Sequence, residues 1–239
     1  MAKKDIFYDA QAYAISYEIL NPSASETLVF LHGWGSNKET MKHAFSPFFK
    51  QYKHLYIDLP GFGASSLEKV IDTHAYASLI STFLHALGIV PYAVFGHSFG
   101  GKVATLLNPP KLVLLSTAGI VVEKSSKVKL KIALFKCFKP FLPQRFYRFF
   151  ATKDVKGMSQ TMYEVLKKVV NEDFTDYFRQ CTSQSFIFWG KDDSATPLSS
   201  GQCIASLLQD NHFFTLEGDH FFFITKGYTI EKLLLESDF

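Results

Sequence analysis

The stretch Tyr92–Leu107, YAVFGHSFGGKVATLL, runs from an apolar segment into a helical one through Gly96-His97-Ser98-Phe99-Gly100, a G-x-S-x-G pentapeptide. Tyr92–Phe95 reads as a buried strand, and Ser98 to about Leu107 reads as the helix that follows it. A serine on a turn this tight is held in a strained backbone, and bulk two residues to either side would collide with adjacent elements. Glycine at both flanks removes the collision and leaves the Ser98 hydroxyl exposed at the carboxyl edge of a sheet. The helix then points its N-terminus at the reacting oxygen, where its dipole favours developing negative charge. Ser98 is expected to be a nucleophile.

The same rhythm extends on both sides. Thr27–Leu31 (TLVFL) is a strand running into His32-Gly33-Trp34-Gly35, and Asn37 caps a helix through about Lys50. His54–Leu59 is the next strand, stopped by Pro60-Gly61. His74–Leu87 carries apolar residues at Ala77, Ile80, Leu84 and Leu87, a helical period, and Lys111–Leu115 is a further strand. Strand and helix in alternation predict a mostly parallel sheet with helices on both faces. From Thr117 to Ser183 the chain turns basic, aromatic and helix-like, broken by Pro140 and Pro143. The core rhythm then resumes with strand Phe186–Trp189, helix Ser199–Leu208, strand His212–Leu216 and a helix near Ile230–Leu235. Residues 1–116 and 184–239 are thus expected to form an α/β core. Residues 117–183 would be a helical, basic cap inserted before the strand Phe186–Trp189.

At 239 residues, 47% of them hydrophobic, the chain can bury one large core carrying one insertion. The 25 phenylalanines fit core filling, with an apolar substrate tunnel as the sharper alternative. Cys137, Cys181 and Cys203 show neither disulfide-framework nor metal-ligand spacing, so no metal and no cofactor are expected. The N-terminal stretch lacks the apolar core of a secretory signal, and no apolar run approaches the ~18 residues of a membrane span. A cytoplasmic protein with no membrane span and no nucleic-acid partner is the expectation. The net charge of +3 hides an asymmetry: Ile120–Arg148 holds eight basic residues against Glu123 alone, a net of +7. Such a run is either a solvated helix face or a surface for an acidic partner.

Serine is a poor nucleophile unless a base takes its proton and an acid orients the base. After the insertion, FIFW runs into Gly190-Lys191-Asp192-Asp193-Ser194-Ala195-Thr196-Pro197, and HFFTL ends in Glu217-Gly218-Asp219-His220. Both loops fall on the sheet edge that carries Ser98, where open α/β sheets build their sites. His220 is the expected base. Either Asp192 or Asp193 would orient it, the other capping a turn or facing solvent. Two backbone N–H groups, from Phe99 and Trp34, are expected to stabilise the oxyanion. Trp34 and His97 are expected to border the substrate pocket, and His32 to brace the oxyanion loop.

Together HGWG (32–35), DLPGFG (58–63), GHSFGG (96–101), GKDDSATP (190–197) and GDH (218–220) resemble the α/β-hydrolase superfamily over nearly the whole chain. The resemblance implies that fold and a Ser98–His220–Asp triad. Members of this shape carry the acid at the fourth position of a G-x-x-D-x-x-x-P string, which falls on Asp193. The HGWG loop and compact cap are similar to the pimeloyl-[acyl-carrier protein] methyl ester esterase group of biotin synthesis. In that group basic cap residues meet an acidic carrier protein, so Lys124, Lys127, Lys131, Arg145 and Arg148 would be the contacts here. GHSFGG and WGKDD also resemble the meta-cleavage-product hydrolases, which cut C–C bonds in dienoic acids of the 2-hydroxy-6-oxo type. These hold the substrate carboxylate with a cap arginine that has no assignable counterpart in this chain. The expected function is a serine carboxylesterase acting through an acyl-enzyme, on a small-molecule or carrier-tethered acyl ester. The alternatives are C–C hydrolysis with the same triad and a catalytically silent hydrolase-fold receptor.

Overall fold

Every residue of Thr27–Leu31 (β3) is buried, as a parallel strand covered on both faces must be. The structure, a computed structural model, describes residues 2–121 and 158–239. Around β3 the other strands are Ala2–Tyr8 (β1), Gln11–Leu20 (β2), Lys53–Ile57 (β4), Pro91–His97 (β5), Lys111–Leu115 (β6), Gln184–Gly190 (β7) and Asn211–Leu216 (β8). They form a sheet in the order β1-β2-β4-β3-β5-β6-β7-β8. β1 and β2 pair antiparallel, β2 meets β4 antiparallel, and every pairing from β4 to β8 is parallel. This is the α/β-hydrolase architecture.

Helices Lys38–Phe45 (α1), Thr73–Ala86 (α2) and Phe99–Leu107 (α3) connect the first strands. Gln160–Val169 (α4), Thr175–Gln180 (α5), Leu198–Leu207 (α6) and Gly227–Leu235 (α7) follow, with a 3₁₀ turn at Phe222–Thr225 before α7. Two apolar clusters sandwich the sheet. Tyr76, Ile80, Phe83, Val103 and Ile204 from α2, α3 and α6 pack on one face. Met41, Phe45, Phe223, Ile230 and Leu234 from α1, the 3₁₀ turn and α7 pack on the other. Met162, Val165 and Val169 of α4, with Phe174 and Phe178, belong to the first cluster, so residues 158–183 share the core of the sheet. On the second face Phe30, Phe45, Phe49 and Phe95 lie within 6.3 Å of one another, centroid to centroid along the chain of contacts, and fill core rather than line a tunnel.

Two features differ from the sequence expectations. The β1–β2 hairpin has no counterpart there, because β1 exposes most of its residues and lacks a hydrophobic alternation. Its turn residues Asp9 and Ala10 sit in the left-handed region (φ 48° and 57°), a two-residue hairpin turn made without glycine. α1 ends at Phe45 rather than near Lys50, since Pro47 has no N–H to continue it and Phe49 takes φ 53°. The basic run, with Lys124, Lys127, Lys131, Arg145 and Arg148, lies outside the described residues.

Candidate active site

Ser98 sits between β5 and α3 with φ 50° and ψ −113°, a backbone conformation that costs about 1–3 kcal/mol for a residue with a side chain. Close approach explains the flanking glycines. A Cβ on Gly96 would stand 2.5 Å from Gly101 Cα, and one on Gly100 would stand 2.5 Å from the carbonyl oxygens of Leu31 and His32. Ser98 N–H donates to Leu115 O (3.1 Å), and Ser98 O accepts from Gly101 and Ala118 N–H (3.0 and 3.2 Å), which locks the turn to the end of β6.

β7 and β8 end beside it. Asp193, 6% exposed, accepts from Ala195 N (2.8 Å), Thr196 N (2.9 Å) and the Thr196 hydroxyl (2.8 Å). Its Oδ2 lies 2.8 Å from His220 Nδ1. Burial pushes this carboxyl up, yet the hydrogen bonds from His220 and Thr196 outweigh it and hold it well below the ordinary carboxylate range. Of the two carboxylates open in the sequence, Asp193 is the one against the imidazole; Asp192 is exposed at the surface. An ionised Oδ2 only accepts, so the proton of this hydrogen bond sits on Nδ1.

The loop after β3 is braced from beneath. Leu59 N–H donates to His32 Nε2 (3.0 Å), so the other ring nitrogen, Nδ1, donates to Gly33 O (2.8 Å). Burial lowers His32 to about 4, keeping this tautomer neutral. Asp58 accepts from Lys38 N (2.8 Å), Lys38 Nζ (2.7 Å) and Ala64 N (3.0 Å), an ion pair whose two side chains are 2% and 0% exposed. The start of α1 is thereby fastened to the loop after β4. Neither Phe99 N–H nor Trp34 N–H has a hydrogen-bond partner among the described residues. Phe99 is the first residue of α3, where no intrahelical acceptor exists.

A cavity of about 130 Å³ opens on Ser98, walled by Trp34, Phe99, Leu166, Val169 and Val170, with Lys102 as its one charged wall residue among the described residues. Trp34 stands in this wall, and His97 lies outside it. Its ring is 1% exposed and packs against His220 and Phe223, and Nε2 lies 3.0 Å from His220 O. Sequence reasoning missed Lys102. Its Nζ reaches Val169 O and Glu172 Oε2, each at 2.7 Å, and lies 4.4 Å over the Phe174 ring. The available signal was a lone charge in the otherwise apolar helix FGGKVATLL.

Among the described residues no helix is long and apolar enough to cross a membrane. No group of His, Cys, Asp or Glu there is arranged to hold a metal.

In fold the chain is similar to an esterase from Exiguobacterium antarcticum, with TM-score 0.73 at 20% identity over 94% of this chain and 95% of that one. It is also similar to a meta-cleavage product hydrolase from Pseudomonas fluorescens IP01, with TM-score 0.70 at 16% identity over 98% and 96% of the two chains. In sequence it is 33% identical over 111 residues to the dihydrolipoyllysine-residue acetyltransferase component of the acetoin cleaving system of Cupriavidus necator. That match takes in 45% of this chain and only 29% of the curated relative. The turn at Ser98 and the loops after β7 and β8 all fall within residues 28–225, where the alpha/beta hydrolase family matches, and the chain belongs to that family.

Proposed function

We propose that the chain is a serine carboxylesterase in which Ser98, His220 and Asp193 form the triad and residues 117–183 the cap. The observation that carries this reading is the 2.8 Å Asp193–His220 pair on the sheet edge where Ser98 holds its left-handed turn. Ser98 Oγ attacks the ester carbonyl while its proton passes to His220 Nε2. Asp193 keeps the imidazole oriented and stabilises the imidazolium. The N–H groups of Phe99 and Trp34 receive the oxyanion. As the tetrahedral intermediate collapses, the C–O bond to the alcohol breaks and His220 returns the proton to that oxygen. Water, deprotonated by the same imidazole, then releases the acid.

Labelling by a fluorophosphonate tests the activated serine: the wild type labels, and Ser98→Ala does not. A protein that stays unlabelled and turns over no ester is the receptor instead. Short p-nitrophenyl esters against a ring-fission dienoate separate the two chemistries, and rapid dienoate turnover with negligible ester cleavage overturns the esterase reading. A carrier-tethered acyl group is supported by the +7 charge of Ile120–Arg148 alone. Its test is a pull-down with acyl carrier protein, which must weaken as salt rises if the attraction is electrostatic.

A further inference from the structure

The loop after β7 gives the Asp193 carboxylate partners on both of its oxygens. Oδ1 accepts from the main-chain N–H groups of Ala195 (2.8 Å) and Thr196 (2.9 Å). Oδ2 accepts from His220 Nδ1 and from the Thr196 hydroxyl, each at 2.8 Å. These donors occupy the roughly four lone-pair sites that an ionised carboxyl offers, so turning the carboxylate about its Cβ–Cγ bond breaks both sets at once. The Thr196 hydroxyl also lies 3.2 Å from His220 Nδ1. One oxygen therefore touches the acid and the base together.

Thr196 is itself held from two sides. Its carbonyl accepts from the indole Nε1–H of Trp189 (2.8 Å), a fully buried side chain near the end of β7. Its hydroxyl reaches Ser116 O at 3.1 Å, and Ser116 is fixed by the bond from its N–H to Phe188 O (3.0 Å). A hydroxyl carries one hydrogen, and here Ser116 O and Asp193 Oδ2 both stand within its reach. Asp193 Oδ2 is nearer and ionised, and a charged acceptor makes the stronger bond, so the hydrogen goes there. A lone pair of Oγ1 then shares the Nδ1–H of His220. The three groups close a triangle with sides of 2.8, 2.8 and 3.2 Å, drawn from the loops after β7 and β8.

We infer that Thr196 is a positioning residue for catalysis, its hydroxyl fixing the Asp193 carboxylate so that His220 Nδ1–H stays aimed at Oδ2 through the reaction. Thr196 acts through Asp193 and keeps its own proton throughout. The proton that moves passes from Ser98 Oγ to His220 Nε2 and on to the departing oxygen. The inference rests on the esterase reading above and adds a residue to its triad.

Thr196→Val deletes the hydroxyl and keeps the β-branched shape. Its kcat for p-nitrophenyl butyrate, counted per site labelled by a fluorophosphonate, should fall about tenfold, the loss of roughly one hydrogen bond to a charged group. KM should stay within about twofold, because no substrate contact is removed. Thr196→Ser restores the hydroxyl and should bring kcat back to within about threefold of the wild type. In an Asp193→Asn background the same Thr196→Val change should cost less than about twofold, since its effect is carried by the carboxylate. Should Thr196→Val not fold, Thr196→Ala removes the same hydroxyl without new bulk and is held to the same figures. If the wild type labels but kcat ignores the loss of the hydroxyl, or the loss is equal in both backgrounds, or Ser fails to rescue, the inference is overturned and the esterase reading stands. A wild type that neither labels nor cleaves ester overturns that reading, and the inference with it.

Discussion

His97 and His220 are joined through a ring nitrogen and a main-chain oxygen: His97 Nε2 lies 3.0 Å from the carbonyl of His220. A carbonyl only accepts, so Nε2 carries the proton and Nδ1 has none. Nδ1 is buried without a partner among the described residues and abuts Gly33, where a Cβ would stand 2.7 Å away. His97 therefore tethers the loop of His220 and touches the loop that carries Trp34. His97→Leu keeps the packing but strands the His220 carbonyl, a loss of about 1–3 kcal/mol. Ester kcat should fall about tenfold, with fluorophosphonate labelling slowed and not abolished. His97→Gln, whose amide nitrogen can reach the same carbonyl, should recover part of the rate. An unchanged kcat in His97→Leu would remove His97 from any positioning role.

Burial also makes His97 and His32 sensors of acid in the stability of the fold. It lowers them to about 3 and about 4, below the ordinary 6.5 of the unfolded chain. As pH falls from 6.5 toward 4, the unfolded state binds protons that the native state refuses, so stability drops with pH. Each histidine contributes up to about 1.4 kcal/mol per pH unit in that window. Urea unfolding at pH 7 and pH 5 should differ by up to about 4 kcal/mol from these two residues, and His97→Gln should remove near half of it. A midpoint that does not move between those pH values would contradict the buried, neutral assignment.

What the sequence made legible is what local chemistry dictates. Gly96 and Gly100 advertise the turn because only their missing Cβ atoms let β5, α3 and the end of β3 approach, and the parallel strands show as continuous apolar runs because both their faces are covered. The hairpin Ala2–Leu20 escaped because Asp9 and Ala10 make a left-handed turn without the glycine that would announce it. At the site, the residue spacing left Asp192 and Asp193 equal. They are told apart by the turn that brings Thr196 N–H back onto one carboxylate, a contact defined in three dimensions. Lys102 was hidden for a related reason: its partners Val169 and Glu172 lie some seventy positions away, and nothing local marks them.

The two neighbouring aspartates give a sharp pair of variants. Asp193→Asn keeps the shape but reverses the hydrogen-bond partner of His220 Nδ1, selecting the wrong tautomer, and should lower kcat by about 10⁴-fold. Asp192→Asn changes an exposed residue and should stay within about twofold. Steady-state hydrolysis of a p-nitrophenyl ester reads both. Equal effects at the two positions would dissolve the assignment of the acid.

Lys102 and Glu172 are an unequal pair, and the inequality predicts an order of stabilities. The ammonium is 2% exposed and the carboxylate 24%. Removing the carboxylate with Glu172→Leu leaves a buried cation with Val169 O and the Phe174 ring as its partners among the described residues, a loss of about 3 kcal/mol. Removing the cation with Lys102→Met leaves a carboxylate that already reaches water, and should cost only about 1 kcal/mol. At roughly 2–4 °C per kcal/mol for a chain of this length, the melting temperature should fall by about 6–12 °C in the first variant and about 2–4 °C in the second. The double variant should melt above Glu172→Leu alone, because the stranded charge is gone. Since Val169 and Val170, next to the Lys102 contact, wall the cavity on Ser98, Lys102→Met should also raise KM for butyrate esters more than it lowers kcat. If Lys102→Met proves the more damaging of the two, the buried ammonium is not the costly partner, and the carboxylate must be held more tightly by Thr73 than its exposure implies.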